Sequence, residues 1–269
     1  DKWKQIVNNN LNPLFNRAIK GTYPPGSIFK LIVVLAAYNL KDFKPEKKYY
    51  CKGSYKFGDQ TFHCWNDKGH GLVDCSTALA VSCDCYFYEL SLRVGIDKIN
   101  EVAKIFGLGN TFLKNIFNSS SGLVPSKNWK IKKYGKTWTK TDTIVTSIGQ
   151  GYALATPLQL AVMVSRIATN GLMLEPTLIK EKSSINQKWN IATTSKEGIK
   201  LLKKSMFDAV NSQNGTAYQS REIKSGYFMA GKTATSQVRR ITMSEREEGI
   251  IKNEDLPRKM RDHALFVGY

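Results

Sequence analysis

The sequence predicts an α/β (α+β) domain. Three observations predict it. Helical apolar faces recur near residues 27–40, 75–94, 96–106, 156–169 and 195–210. Two strand-like runs, 227–238 and 263–269, close the chain and are placed to pair antiparallel. The 269 residues are 42% hydrophobic and 11% aromatic, which is ample for a buried core and argues against disorder.

Residues 1–20 lack clear periodicity. Helix signals begin at Ser27, with Ile28, Leu31, Ile32, Val34 and Leu35 giving a broad apolar face. Residues 42–72 read as irregular: Lys-rich, with Gly53, Gly58, Gly69 and Gly71, and with His63, Cys64 and His70. Cys75 to Val94 is helical but interrupted near Ser82-Cys83-Asp84. Ile96 to Phe106 is amphipathic and closed by Gly107 and Gly109. Residues 107–150 read as loop. Thr156-Pro157 then opens a helix, since Thr caps well and Pro suits the first helical position. That helix runs to about Thr169 and stops at Asn170-Gly171. Ser195 to Val210 carries a Leu201/Leu202/Met206 face. "YFMAGKTATSQV" reads as a strand, the next 24 residues as a charged, exposed excursion, and His263 to Tyr269 as the second strand. There is no internal repeat.

Forty Lys+Arg against 22 Asp+Glu give a net charge of +18. Such a field favours membrane headgroups, nucleic acid, acidic polymers or carboxylate substrates. The basic residues are dispersed, so a solvated lysine-rich surface explains the charge equally well. No nucleic-acid-binding motif accompanies them, and nucleic acid is not expected as a partner. The longest apolar run, Leu31 to Leu40, falls well short of the roughly 20 residues of a membrane span. With no initiator Met, no signal-like segment and an abrupt "HALFVGY" ending, the chain reads as one partial domain, residues 1–269.

Three polar elements carry candidate chemistry. Ser27 and Lys30 lie at i and i+3, which places both side chains on one helix face. A serine needs a base to become a nucleophile. Lys30 suits that role if burial and nearby cations lower its pKa. The Pro24-Pro25-Gly26 lead-in would fix the approach. An ordinary capped helix with a solvated lysine is the plain alternative. Ser82 and Asp84, two apart, point the same way only where the backbone is not helical; otherwise they form a local cap. Lys232-Thr233-Ala234-Thr235 lies on a strand, with Lys232 and Ala234 on one face and Thr233 and Thr235 on the other.

Together, in this order, they match S-x-x-K, S-x-[ND] and K-[ST]-[GA]-[ST], the signature of penicillin-binding proteins and serine β-lactamases. "NRAIKGTYPPGSIFK", "SCDCYFYEL", "VGID", "IGQGYALATPLQLA", "NGTAY" and "GKTATSQV" follow as in a class B penicillin-binding protein. The chain resembles the penicillin-binding protein 2 branch most, over residues of about 10 to 269. The resemblance implies a transpeptidase fold, with an antiparallel sheet packed on helices, a mostly helical lobe containing Ser82, and Ser27 between them. It implies an enzyme that cross-links peptidoglycan stem peptides ending in D-Ala-D-Ala through a serine acyl-enzyme, acts in cell-wall elongation and cell shape, and is blocked by β-lactams.

Ser27 would be the nucleophile, Lys30 its base, Ser82 a proton relay and Asp84 the closing acid. Lys232 would add positive charge, Thr233 and Thr235 would grip the substrate carboxylate, and the N–H groups of Ser27 and Thr235 would form the oxyanion hole. The resemblance also implies the periplasmic face of a bacterial inner membrane, with an amino-terminal anchor before Asp1, a further strand and helix after Tyr269, and a membrane glycan polymerase as partner. Two departures stand out. Ala234 replaces the usual glycine and is expected to crowd the cleft. Asp84 replaces asparagine and adds negative charge beside the lysines. A β-lactamase, a D,D-carboxypeptidase and a non-catalytic β-lactam sensor remain as alternatives; no E-x-x-L-N segment favours the lactamase.

Cysteines stand at 51, 64, 75, 83 and 85. Five cannot all pair. The spacing Cys51-x12-Cys64-x5-His70-x12-Cys83 suggests three thiolates and an imidazole around a structural zinc. A Cys51–Cys64 disulfide and free thiols are the alternatives. His63 is the other imidazole, Asp59 and Asp67 are fallback ligands, and Cys75 and Cys85 read as buried helix residues. Cys83 as a ligand would hold Ser82 and Asp84 in place.

Overall fold

The computed structural model describes residues 1–113, 118–178, 195–222, 226–239, 245 and 249–269. In chain order the helices are α1 (Lys2–Val7), α2 (Lys30–Ala37), α3 (Cys75–Ala80), α4 (Asp84–Val94), α5 (Ile96–Ile105), α6 (Lys127–Tyr134), α7 (Lys140–Ser147), α8 (Pro157–Ala168) and α9 (Lys196–Asn211). The strands are β1 (Tyr49–Cys51), β2 (Ser54–Phe57), β3 (Gln60–His63), β4 (Gly71–Val73), β5 (Gly231–Ser236) and β6 (His263–Gly268).

Helix α2 is the centre of the molecule. Its sequence KLIVVLAA is apolar all round except for Lys30, and every residue of it is buried. A helix apolar on all faces must be enclosed, and α3, α4, α5 and α9 pack around it. Ser27 does not start this α-helix as the sequence suggests. Gly26–Phe29 forms a tighter 3-10 turn, and α2 begins at Lys30. The turn seats Gly26, which needs a φ of 54°.

Strands β5 and β6 pair antiparallel with Lys232 opposite Val267 and Thr235 opposite Ala264. The expected strand over 227–238 is shorter, because ladder pairing spans only Gly231–Ser236. Within it Lys232, Ala234 and Ser236 are buried while Thr233 and Thr235 are more open, which matches the alternation expected. The excursion after Val238 lies partly outside the described residues; what is described over 249–262 is largely exposed except Leu256.

Two stretches differ from the sequence reading. Residues 42–72 are not irregular. β1 pairs with β4, and β2 pairs with β3 through a two-residue Gly58-Asp59 turn with Gly58 at φ 58°. The strands are only three or four residues long, so period-2 patterning is weak. Residues 107–150 contain α6 and α7, whose caps stabilise them more visibly than their periodicity does. Ser126 accepts from Trp129 N, Gly135 ends α6 in the left-handed region, and Thr139 and Asp142 form a capping box on α7.

Candidate active site

The chain breaks between α3 and α4 at Ser82, which sits at φ 58°. A non-glycine residue there costs on the order of 1 kcal/mol and marks a constrained turn. The turn turns Ser82 and Asp84 toward the same point, which a continuous helix would forbid. That point is Lys30, arriving from the centre of the core. Its ammonium donates to Ser82 O at 2.9 Å, Ser82 Oγ at 3.1 Å and Asp84 Oδ1 at 2.7 Å. Lys30 is fully buried, and its charge sits 5.4 Å from the Phe87 ring centroid.

β5 reaches the same place from the other side and packs against the 3-10 turn. A Cβ built on Gly26 would come 2.6 Å from Thr235 O and 3.1 Å from Ala234 Cβ. The serine turn therefore approaches the strand as closely as a glycine allows. Lys232 is fully buried and donates to Thr233 O at 3.2 Å. Burial first, and the Lys30 charge second, hold its amine well below the ordinary lysine range, with Asp84 opposing. Thr233 Oγ1 hydrogen-bonds Thr216 Oγ1 at 2.8 Å.

Ser27, Ser82, Asp84, Thr233, Ala234 and Thr235 line one open cleft of about 350 Å3, while Lys30 and Lys232 are fully buried. The Ala234 methyl is largely buried, with its Cβ against Gly26. Ala234 thus borders both the serine turn and the cleft. Five further lining residues escaped the sequence reading: Trp65, Ile148, Gln150, Thr216 and Gln237. Gln150 donates its amide to Thr235 O at 3.0 Å, Thr216 partners Thr233, and Trp65 forms part of the wall. Gln150 and Thr216 lie in "IGQGYALATPLQLA" and "NGTAY", quoted for family likeness without roles. Trp65 is 61% exposed and pinned by Nε1–H to Val81 O at 3.1 Å.

Beside the cleft, Cys51, Cys64, His70 and Cys83 converge, with one ligand atom from each within 4.8 Å of all the others. His70 Nδ1 lies 3.7 Å from Cys51 Sγ and 3.5 Å from Cys64 Sγ. All five cysteines are free thiols, so the Cys51–Cys64 disulfide does not form. His63, Asp59 and Asp67 stand outside this group. Cys75 is buried in α3 as expected. Cys85 is buried in α4 as expected, and Cys64 and burial push its thiol up. Hydrogen bonds from Cys83 and Cys85 hold Cys64 far below the ordinary thiol range.

Residues 2–269 match the family model of the penicillin binding protein transpeptidase domain. The chain belongs to that family. Relatives of this transpeptidase domain include the peptidoglycan D,D-transpeptidase MrdA of Haemophilus influenzae, 31% identical over 100% of this chain and 42% of the relative. MrdA of Acinetobacter baumannii is 32% identical over 99% of the chain and 40% of the relative. The transpeptidase domain thus spans about two fifths of the curated relatives it matches. Among solved structures it resembles penicillin-binding protein PBP2 of Helicobacter pylori in complex with MreC, at TM-score 0.86 and 30% identity, covering 100% of this chain and 47% of that one. It also resembles PBP2 of Pseudomonas aeruginosa in complex with WCK 5153, at TM-score 0.81 and 29% identity, covering 100% and 58%. The α+β transpeptidase fold expected from the sequence is the fold observed.

Proposed function

We propose that this domain is a serine D,D-transpeptidase that cross-links peptidoglycan stem peptides and is acylated by β-lactams at the same serine. The observation that carries the reading is the meeting of Ser27, Lys30, the Ser82/Asp84 turn and Lys232 around one cleft. The MrdA relatives support the reaction class.

Ser27 Oγ attacks the carbonyl of the penultimate D-Ala. The peptide C–N bond breaks, and the terminal D-Ala leaves as an amine after gaining a proton. An amine from a second stem then attacks the ester, and Ser27 recovers its proton as it leaves. Lys30 must shed a proton before it can accept the one from Ser27. Asp84 Oδ1 and Ser82 Oγ are the side-chain acceptors in reach. Ser82 Oγ then relays a proton toward the leaving amine. Lys232, with Thr233 and Thr235, holds the substrate carboxylate. The N–H groups of Ser27 and Thr235 receive the oxyanion; losing one such donor costs about 3 kcal/mol of transition-state stabilisation.

Zinc fits the neighbouring cluster. Three buried or nearly buried thiols and one imidazole form a soft, closed donor set. The remaining ring nitrogen of His70 is buried with no partner among the described residues. Cys51, Cys64, His70 and Cys83 would hold the ion, and it would supply a structural cross-link between the β1–β4 region and the Ser82 turn.

The same reading places the domain at the periplasmic face of a bacterial inner membrane, working in elongation with a glycan polymerase and an anchor outside this chain. No helix among the described residues is long and apolar enough to cross a membrane. The support is likeness to penicillin-binding protein PBP2 of Helicobacter pylori in complex with MreC and to a peptidoglycan synthase complex that coordinates polymerization and crosslinking.

Covalent labelling with a fluorescent penicillin, followed by peptide mapping, tests the proposal. A long-lived adduct on Ser27 that disappears in Ser27→Ala is expected. Persistent labelling of Ser27→Ala would overturn it. Rapid loss of the adduct would indicate a β-lactamase, and labelling without cross-linking of stem peptides would indicate a sensor.

A further inference from the structure

Residues 127–140, KNWKIKKYGKTWTK, hold six lysines and no acidic residue. Two of the six have local roles. Lys130 is buried, pairs with Asp142 at 2.5 Å, and lies 5.8 Å from the ring centroids of both Trp138 and Tyr152. Lys127 pairs with Asp97 at 3.0 Å. Lys132, Lys133, Lys136 and Lys140 are exposed, and no acid among the described residues pairs with them.

Helix electrostatics accounts for only half of these. Lys132 and Lys133 sit in the last turn of α6, where cations are favourable. Lys136 lies beyond that helix. Lys140 opens α7, where a cation opposes the dipole. Helix electrostatics therefore leaves Lys136 and Lys140 unexplained.

Below the lysines lies an aromatic floor. Tyr152 is its hub, with ring centroids 5.1 Å from Trp129, 5.7 Å from Tyr134 and 6.2 Å from Trp138. Tyr134 is half exposed, and a shallow depression opens between Trp129, Lys132 and Lys133. Tyr134 is the exposed ring of this group and offers an apolar face to a sugar ring, while lysines attract carboxylates.

This face continues into the cleft by two routes. Tyr152 follows Gln150 by two residues, and Gln150 both lines the cleft and holds Thr235 O. Helix α7 runs from Lys140 to Ser147, next to the cleft residue Ile148, so the two ends are about 12 Å apart.

We propose that the Lys132–Lys133–Lys136–Lys140 face, floored by Trp129, Tyr134, Trp138 and Tyr152, is a second binding site for the carboxylate-bearing glycan–peptide strand whose stem enters the cleft. The substrate named here rests on the transpeptidase reading. Charge complementarity and continuity with the cleft favour that strand over a lipid surface, which has no reason to lie beside the acylated serine.

The test compares wild type with Lys132→Glu/Lys133→Glu/Lys136→Glu and with Tyr134→Ala. Binding to insoluble peptidoglycan sacculi and to anionic phospholipid vesicles is measured across a salt series, with fluorescent-penicillin labelling alongside. The triple variant should bind sacculi at least about tenfold more weakly and with a shallower salt dependence, because exposed charges are screened within about 10 Å at 0.1 M salt. Tyr134→Ala should weaken binding with the salt slope unchanged. Both should keep wild-type penicillin labelling, which shows an intact cleft. Sacculus binding equal to wild type in both variants would overturn the proposal. Wild-type protein that binds vesicles and not sacculi would overturn it too, as a membrane surface. If the triple variant loses labelling through misfolding, single Lys136→Gln and Lys140→Gln variants read the same quantity. Wild-type protein that takes no penicillin label fails the cleft reading instead, and the sacculus and vesicle arms do not depend on that label.

Discussion

Trp65 donates its backbone N–H to Asp84 Oδ2 at 2.8 Å, while the other oxygen of Asp84 meets Lys30 at 2.7 Å. Trp65 follows Cys64, and Asp84 follows Cys83. The thiol–imidazole cluster and the cleft thus share one carboxylate. Anything that moves the cluster moves the partner of Lys30.

Metal removal is the first consequence. Elemental analysis of the purified protein should find about one zinc per chain. Chelation should lower Tm by at least ~5 °C, since each kcal/mol lost shifts a domain of this size by about 2–4 °C. Penicillin acylation should slow as well, because the Trp65–Asp84 bond loses its anchor. Protein without zinc and indifferent to chelation would remove the metal from this account.

Asp84→Asn should be strongly destabilising. It removes the counter-charge of a fully buried lysine, and breaking a buried pair from one side costs about 3–5 kcal/mol. Denaturant unfolding at neutral pH measures this. A change near that of a surface pair, below about 1 kcal/mol, would contradict the placement.

Lys232→Met should stabilise the fold and abolish acylation. The folded-state amine is depressed by burial and by Lys30, with Asp84 opposing. The unfolded chain therefore binds a proton that the folded chain resists. Stability from this group is full above the unfolded value near 10.4 and is lost as pH falls toward the depressed folded value. Wild type should gain stability relative to Lys232→Met as pH rises from 7 toward about 10. Parallel stability curves for the two proteins would show that Lys232 is not strained by its surroundings.

Gly26→Ala should cost roughly 1–3 kcal/mol and slow acylation sharply, because φ is 54° and the new methyl would meet Thr235 O at 2.6 Å. Ala234→Gly should cost about 1 kcal/mol through strand entropy and lost packing on Gly26, with penicillin acylation little changed. A large gain in acylation on Ala234→Gly would instead restore the view that this methyl obstructs the ligand.

The cleft was legible where chemistry depends on residue type and spacing. Ser27 with Lys30, Ser82 with Asp84, and Lys232 with Thr233 and Thr235 were each visible as short patterns. So were the capped helices α8 and α9, which announce themselves through Thr156-Pro157 and Ser195. Helices α6 and α7 were missed because lysines in α6 and threonines in α7 mask the period, and the caps define them more clearly. The β2–β3 hairpin was missed although Gly58-Asp59 signals a tight turn. Trp65, Gln150 and Thr216 carried no signal of their own, since a lone Trp, Gln or Thr gains a role only from what faces it.

The sequence by itself determined the reactive groups, their order, and the donor set of the thiol cluster. Those are local facts, set by side-chain chemistry and by spacings of a few residues. Only the tertiary structure decided that Lys30 meets Ser82 and Asp84 from 52 and 54 residues away, that Lys232 is buried beside them, and that Trp65 ties the cluster to the cleft. Such closures depend on how α2 is enclosed and on how closely Gly26 lets β5 approach. Their energy comes from contacts between distant segments, which no window of sequence contains.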